Sequence, residues 1–170
     1  MNTPTAGQLQ APSDDEVFDF LVEVLKTRMP LGPGQPGFLQ AARELPAGLR
    51  AMVTTHHLDV SLTRDDLGWH FGNWHDEELA LETAQGLDVL GADELASLFR
   101  QAFALAQKHW QRLGNADWSE WYHGSPLEQL IDPLNTQAWE ICERSWNGIL
   151  GYWVAYARKN PAEVGARHDA

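Results

Sequence analysis

The densest group of chemically reactive side chains lies between positions 56 and 82, where histidines occur among carboxylates. Two pairs are spaced four residues apart, Asp66 with His70 and Glu78 with Glu82, which places each pair on one face of a helix. Helical di-metal carboxylate sites use such pairs, but they also need a Glu-x-x-His pair from each of two helices, and the chain does not contain two of these. A metal-dependent hydrolase is therefore the alternative function, with candidate ligands His56, His57, Asp66, His70, His75 and Glu78.

Nucleophilic catalysis has less support. Cys142 falls at an apolar position of a predicted helix, where a thiol is usually a small buried side chain. Ser125 lies in a His-Gly-Ser-Pro run, without the preceding strand and the following glycine that a nucleophile elbow requires. No pair of groups has the arrangement that acid–base catalysis needs. We therefore expect a protein that is not an enzyme and that uses no cofactor or metal.

The distribution of charge is more informative than these motifs. The chain has 24 acidic and 12 basic residues, a net charge of −12, and ten carboxylates but one base, Arg64, lie between positions 59 and 94. Acidic helices usually alternate the two signs to gain attractions between neighbouring turns. A field of one sign repels nucleic acid and attracts basic proteins, so we expect a basic protein partner and no direct nucleic-acid binding. The predicted partner-binding face comprises Asp66, Asp76, Glu77, Glu78, Glu82, Asp88, Asp93 and Glu94.

Helical periodicity dominates the sequence. No segment shows the strict alternation of β-branched residues that is typical of a strand, so we predict an all-α fold of about six helices. The first helix begins after Ser13, which forms a capping-box pattern with Glu16. Residues 38–45 are predicted to form a short helix, and residues 115–134 to be largely irregular with at most one short helix. Later helices are predicted over residues 46–60, 63–71 (with Thr63 as its N-cap), 74–90, 92–113 and 135–160.

Composition sets the domain boundaries. Residues 1–12 have almost no bulky apolar side chains and are predicted to be a disordered tail, residues 13–163 to form one helical domain, and residues 164–170 to be a flexible tail. One cysteine cannot form an intramolecular disulfide, and no apolar run approaches the roughly 18 residues of a membrane helix. We expect a cytoplasmic protein without membrane contact.

Eight tryptophans are many for a chain of 170 residues. Trp139, Trp146 and Trp153 recur every seven residues within the last predicted helix, which places them on one stripe. Such a stripe normally faces neighbouring helices, so a core position is favoured over a ligand cleft or a dimer seam. We group these three with Trp121 as the predicted core or dimer seam, and we expect a homodimer.

Three stretches of the sequence resemble a known family. They are Glu-Leu-Pro-Ala-Gly-Leu-Arg at 44–50, Asp-Leu-Gly-Trp-His-Phe-Gly-Asn at 66–73, and Tyr-Ala-Arg-Lys-Asn-Pro-Ala-Glu at 156–163. They resemble the bacterial domain-of-unknown-function family that contains the DNA-mimic proteins. This resemblance implies an acidic, all-helical and often dimeric protein, and one family member imitates duplex DNA to occupy a transcription regulator. The leading hypothesis is an acidic binding protein, a DNA mimic, with either a transcriptional or a toxin-neutralising role.

Overall fold

The computed structural model describes Leu9 and residues 13–165. This part of the chain forms ten α-helices and a final 3-10 helix, Pro161–Val164, and it contains no β-strand, so the all-α prediction is confirmed. The helices are α1 (Asp14–Arg28), α2 (Phe38–Arg43), α3 (Ala47–Arg64), α4 (Leu67–Asn73), α5 (Glu77–Val89), α6 (Asp93–Gln107), α7 (Trp110–Leu113), α8 (Trp118–Tyr122), α9 (Pro126–Glu143) and α10 (Ile149–Lys159).

Helix α3 lies at the centre of the fold. It packs against α2, α4, α5, α10 and the final 3-10 helix, and its side chains Leu49, Met52 and Leu58 are fully buried. A helix with apolar residues on most sides must be covered by several neighbours. Helix α5 contacts both α3 and α6, while α6 and α9 pack together and against α4. The acidic helices α5, α6 and α9 are therefore held by one shared core.

Side-chain caps determine where several helices begin. The Glu16 carboxylate accepts the Ser13 backbone N–H at 2.8 Å, and the Ser13 hydroxyl accepts the N–H of Glu16, so the predicted capping box is confirmed. The predicted cap at Thr63 is wrong, because its hydroxyl donates to a carbonyl one turn earlier in α3 and that helix continues past it. Asp66 caps α4 instead, by accepting the N–H of Trp69 at 2.7 Å.

The predicted last helix, 135–160, is in fact parts of two helices. Helix α9 begins at Pro126, inside the segment predicted to be irregular, because the Ser125 hydroxyl accepts the N–H of Glu128 at 3.1 Å. Proline suits this first position since its missing N–H would have no helical partner. After α9 the chain turns at Asn147 and Gly148, whose φ angles are 51° and 66°. The tryptophan stripe is therefore split between α9 and α10.

The helix predicted over 92–113 is also interrupted. The N–H groups of Lys108 and His109 bond to carbonyls only three residues earlier, at 3.2 and 2.9 Å, and this tightened turn ends α6. Helix α7 resumes at Trp110. Such interruptions, together with the short helices α2 and α8, explain why the described residues form ten helices rather than about six.

Both predicted tails contain a buried residue. Leu9 is 1% exposed, belongs to the main core, and its carbonyl accepts Nη1 of Arg158 at 2.8 Å. Val164, predicted to begin the C-terminal tail, is fully buried because the 3-10 helix packs on α3. Residues 1–8, 10–12 and 166–170 of the predicted tails lie outside the described residues. In the described part, no helix combines the length and the apolar character needed to cross a membrane.

Candidate functional site

A buried ion-pair network interrupts the predicted acidic face at Glu82. Only 6% of this residue is exposed, and its carboxylate accepts Nε of Arg50 at 2.8 Å and Nε of Arg43 at 2.9 Å. Arg43 also donates to Glu78 at 2.8 Å. Burial raises the pKa of Glu82, but the hydrogen bonds from the two arginines outweigh it, so the pKa lies below its usual value. Glu82 is thus engaged inside the protein rather than at its surface.

Two further carboxylates of the predicted face bind arginines from other helices. Asp88, near the end of α5, pairs with Arg100 of α6. Glu94, at the start of α6, pairs at 2.6 Å with Arg144, which follows α9. A neighbouring positive charge weakens the field of a carboxylate at a distance. The run of one sign between positions 59 and 94 is therefore partly neutralised in three dimensions.

Four carboxylates of the predicted face form no ion pair with a lysine or arginine of the described chain. Asp66 and Asp76 are the N-caps of α4 and α5, and burial raises the pKa of Asp66. Glu77 and Asp93 are exposed in the first turns of α5 and α6. Because α5 alone extends for about 20 Å, these four residues do not form one compact patch.

Helix α9 carries an acidic stripe that the sequence analysis missed. We call Glu128, Asp132, Glu140 and Glu143 the α9 stripe; the helix contains no lysine or arginine. The last three are exposed, whereas Glu128 is half-buried and accepts the N–H of Gly124. Within the described residues none of the four pairs with a lysine or arginine. Four acids without a base were visible in the sequence, but half of this segment was predicted to be irregular.

Trp139 lies within the α9 stripe. It is 40% exposed, and its indole N–H donates to the carbonyl of Leu62 in α3 at 3.1 Å. Helical spacing places Glu128, Asp132 and Glu143 on the same side of α9 as this ring. Exposed indole faces attract lysine and arginine, and adjacent carboxylates add to that attraction. The arrangement is therefore suited to receive a basic side chain.

The residues of the metal-hydrolase alternative do not converge. His57 and His70 are buried with their rings stacked 5.4 Å apart, His75 bonds to a carbonyl of α7, and His56 lies at the surface beside α10. The two carboxylates of the set already serve as a helix cap and as an arginine partner. Across residues 13–165 and Leu9, no group of three histidines, cysteines, aspartates or glutamates could hold a metal ion. The structure does not support this alternative.

Comparison with known proteins identifies the family of this acidic helical chain. A family model described as DMP19-like protein matches residues 43–160, more than half of the sequence. The chain belongs to the DMP19-like family. It is the family with DNA-mimic proteins that the three sequence stretches resemble, so that recognition is confirmed. No curated protein and no solved structure matches the chain.

The DMP19-like match includes all of α3 to α10 and therefore every carboxylate of the predicted face and of the α9 stripe. Helix α1, which carries a separate group of acids, lies outside it. This division makes α1 a natural source of control substitutions for the matched region.

The four tryptophans of the predicted core or dimer seam have different environments. Trp153 is 2% exposed and belongs to the core. Trp146 and Trp121 are half-buried, with the guanidinium of Arg112 5.4 Å above the ring of Trp121. Trp139 is the most exposed of the four. Because they lie on three different elements and in the segment between two of them, they do not form a single seam.

Neither candidate nucleophile is activated. Burial raises the pKa of Cys142 to about 11, so its thiol stays protonated at neutral pH and is a poor nucleophile. The hydroxyl of Ser125 is engaged as the N-cap of α9. The local roles of both residues are structural.

Proposed function

We propose that this protein is a non-enzymatic, acidic binding protein that occupies a basic DNA-binding protein in place of DNA. Membership of the DMP19-like family, which contains DNA-mimic proteins, is the observation that carries the proposal. The net charge of −12 supports it, because an acidic surface attracts basic proteins and accelerates their association. The partner is a protein whose own DNA-binding surface is rich in lysine and arginine.

The α9 stripe is the principal contact in this proposal. Asp132, Glu140 and Glu143 form no ion pair within the described chain, so a basic partner can bind them without breaking one, whereas Glu128 already contacts His123 at 3.3 Å. Trp139 provides an aromatic anchor within the stripe, and exposed tryptophans are common centres of binding energy. Glu78, Asp88 and Glu94 contribute less because each already binds an arginine. The contact is extended by the unpaired residues Asp66, Asp76, Glu77 and Asp93.

Helical geometry allows a partial match to DNA. The 15 residue steps from Glu128 to Glu143 correspond to a rise of about 22 Å, over which one DNA strand carries about six or seven phosphates. The stripe provides four carboxylates over that length. The charge density of the stripe is thus lower than that of one DNA strand, so acidic residues outside α9 must contribute if the protein is to match the charge of DNA.

Affinity capture from the native lysate tests the proposal. The tagged full chain is incubated at low and high salt, with and without added duplex DNA. We expect capture of a DNA-binding protein that is released both by salt and by duplex, because all three compete for the same charges. A partner that is indifferent to both treatments refutes the mimicry.

Two matched variants locate the surface. Asp132→Asn/Glu140→Gln/Glu143→Gln removes three charges from α9, and Asp15→Asn/Asp19→Asn/Glu23→Gln removes three from α1. The α9 variant should weaken capture of the partner at least tenfold. The α1 variant should weaken it only by the small amount that the loss of three charges causes in both variants. Equal losses would show that net charge, and not the α9 stripe, attracts the partner.

We also propose that the protein is a cytoplasmic homodimer. Family resemblance supports dimerisation, and Trp121 is the seam candidate with surface available for it, because Trp139 serves the partner contact. Sedimentation at micromolar protein and moderate salt should give a dimer of the 19.1 kDa chain, weakened by Trp121→Ala and unchanged by Trp139→Ala. A monomer in wild type, with sedimentation unchanged in both variants, contradicts the dimer.

A further inference from the structure

A cavity of about 300 Å³ opens between α1, α3, α10 and the loop that joins α1 to α2. It lies where the main core meets a second hydrophobic cluster, so apolar side chains of both clusters face the same space. The walls include Phe18, Leu25, Met29, Phe38, Val53 and Trp153.

The charge of the cavity differs from that of the rest of the protein. Although the chain has 24 acids, none of the described residues that line the walls is a carboxylate; the lining side chains with nitrogen atoms are Lys26, His56 and Trp153, and the Trp153 indole N–H already donates to Thr55 at 3.0 Å. The Lys26 ammonium contacts Glu23 at 2.7 Å, but both side chains are more than 60% exposed, so this pair is weak and its ammonium can turn toward the cavity. The opening thus offers a cation beside an apolar wall.

Packing alone does not account for this space. Phe18, Val22 and Leu25 stay half-exposed although burial would stabilise them by roughly 25 cal/mol per Å². The loop is held by its own hydrogen bonds: the Gln35 side chain accepts the N–H of Gly32 at 2.7 Å, and the N–H groups of Gln35 and Phe38 donate to the carbonyls of Gly32 and Gln35, each at 3.1 Å. The loop therefore forms a fixed rim, and the apolar wall behind it stays accessible.

The volume identifies the size of the occupant. An apolar cavity of about 150 Å³ accommodates benzene, so 300 Å³ accommodates about two fused rings. A protein partner would need an interface of about 800 Å² on each side, which a cavity of this size does not provide. A small molecule is therefore the class of occupant that suits this volume.

We infer that this cavity binds a flat, apolar molecule of about two fused rings that carries one anionic group. The rings pack against Phe18, Val53 and Trp153, and the anion faces Lys26, with His56 as a hydrogen-bond partner at the rim. At physiological salt the Debye length is about 8 Å, so the local cation outweighs the distant acids of the protein. This binding is independent of the acidic surface proposed above.

Titration of the full chain with 2-naphthoate, at physiological salt and by calorimetry, tests the inference, with 2-naphthol as a neutral probe of similar size. We expect one saturable site, with 2-naphthoate binding about fivefold more tightly than 2-naphthol. Lys26→Met should remove this preference, whereas Lys108→Met, which removes the same charge from another surface, should preserve it. No saturation by either probe up to about 1 mM overturns the site.

A cavity-filling variant separates this site from binding elsewhere. Val22→Trp places a large ring in the cavity and should abolish binding of both probes, while an unchanged or higher melting temperature shows that it folds. Binding that survives in a folded Val22→Trp overturns the location. Equal effects of Lys26→Met and Lys108→Met on the preference for 2-naphthoate, or tighter binding of 2-naphthol by the wild type, overturn the role of Lys26. Both lysine variants change exposed side chains, so this test does not require that Val22→Trp folds.

Discussion

Lowering the pH from 7 to 5 should destabilise the protein through two buried histidines. His57 and His70 are each 1% exposed, and their rings stack 5.4 Å apart. Burial lowers the pKa of His57 to about 3 and lowers the pKa of His70 well below its usual value. In the described chain Nδ1 of His57 has no hydrogen-bond partner, so no acceptor is in place to stabilise a proton there.

The sign and size of the effect follow from proton linkage. Below about pH 6.5 the unfolded chain protonates both histidines while the folded chain keeps them neutral, so the free energy of unfolding falls as the pH falls through this window. Each histidine contributes about 1.4 kcal/mol per pH unit, or about 2 kcal/mol at pH 5, and the pair about 4 kcal/mol. Asp59 and Asp66, whose pKa burial raises, act in the opposite direction because the folded state protonates them first, so the comparison stops at pH 5.

Urea unfolding at pH 7, 6 and 5, followed by circular dichroism, measures this loss. His57→Leu removes one titrating ring and should halve the dependence of the free energy of unfolding on pH. A free energy of unfolding that is constant between pH 7 and 5, or a His57→Leu variant with the wild-type dependence, would refute the assignment of these histidines as buried and neutral.

Two further predictions use urea unfolding at pH 7. Glu82→Gln should lower the free energy of unfolding by about 2 kcal/mol because it leaves two partly buried arginines without their carboxylate, whereas Glu94→Gln, in an exposed pair, should cost less than about 1 kcal/mol. Gly68→Ala should cost about 3 kcal/mol because its Cβ would overlap the Tyr122 hydroxyl, whereas Gly32→Ala, with its nearest atom 4.0 Å away, should stay within about 0.5 kcal/mol. Equal losses within either pair of variants would contradict the contact that distinguishes them.

The sequence predicted the local features of the fold. The all-α class and the capping box at Ser13 follow from residues within one or two turns of each other, and both are confirmed. The extent of α9 depends on distant contacts. Asn135, predicted as a possible helix start, is instead buried inside α9, where its side-chain oxygen accepts the N–H of Leu67 at 3.0 Å. The residues around Asn135 do not indicate that its hydrogen-bond partner lies 68 positions away in the chain.

The candidate site, like the fold, was predicted only in part from the sequence. The excess of acid is a property of composition and was visible at once. The neutralisation of this acid was not visible in the sequence, because the arginines are distant along the chain. Arg50 and Arg43 bind Glu82 from 32 and 39 positions away, and Arg144 binds Glu94 from 50 positions away. The α9 stripe was missed because its helix was placed nine residues too late. Charge counted along the chain therefore overstates the free charge of α5 and α6, whereas the acids of α9 were countable but not recognised as one helix face.

The pairing of carboxylates reconciles two opposing requirements. A surface that imitates DNA needs many negative charges, yet self-repulsion among them destabilises a compact fold. Arginines from α2, α3, α6 and the segment after α9 balance acids of α5 and α6, where those helices pack in the body of the protein. Helix α9 keeps Asp132, Glu140 and Glu143 unpaired and exposed, and it buries another side, including Leu127, Ile131 and Ala138, in the core. These three carboxylates therefore lie on the open face of a helix whose other face is anchored in the core, so a basic partner can bind them without disturbing the fold.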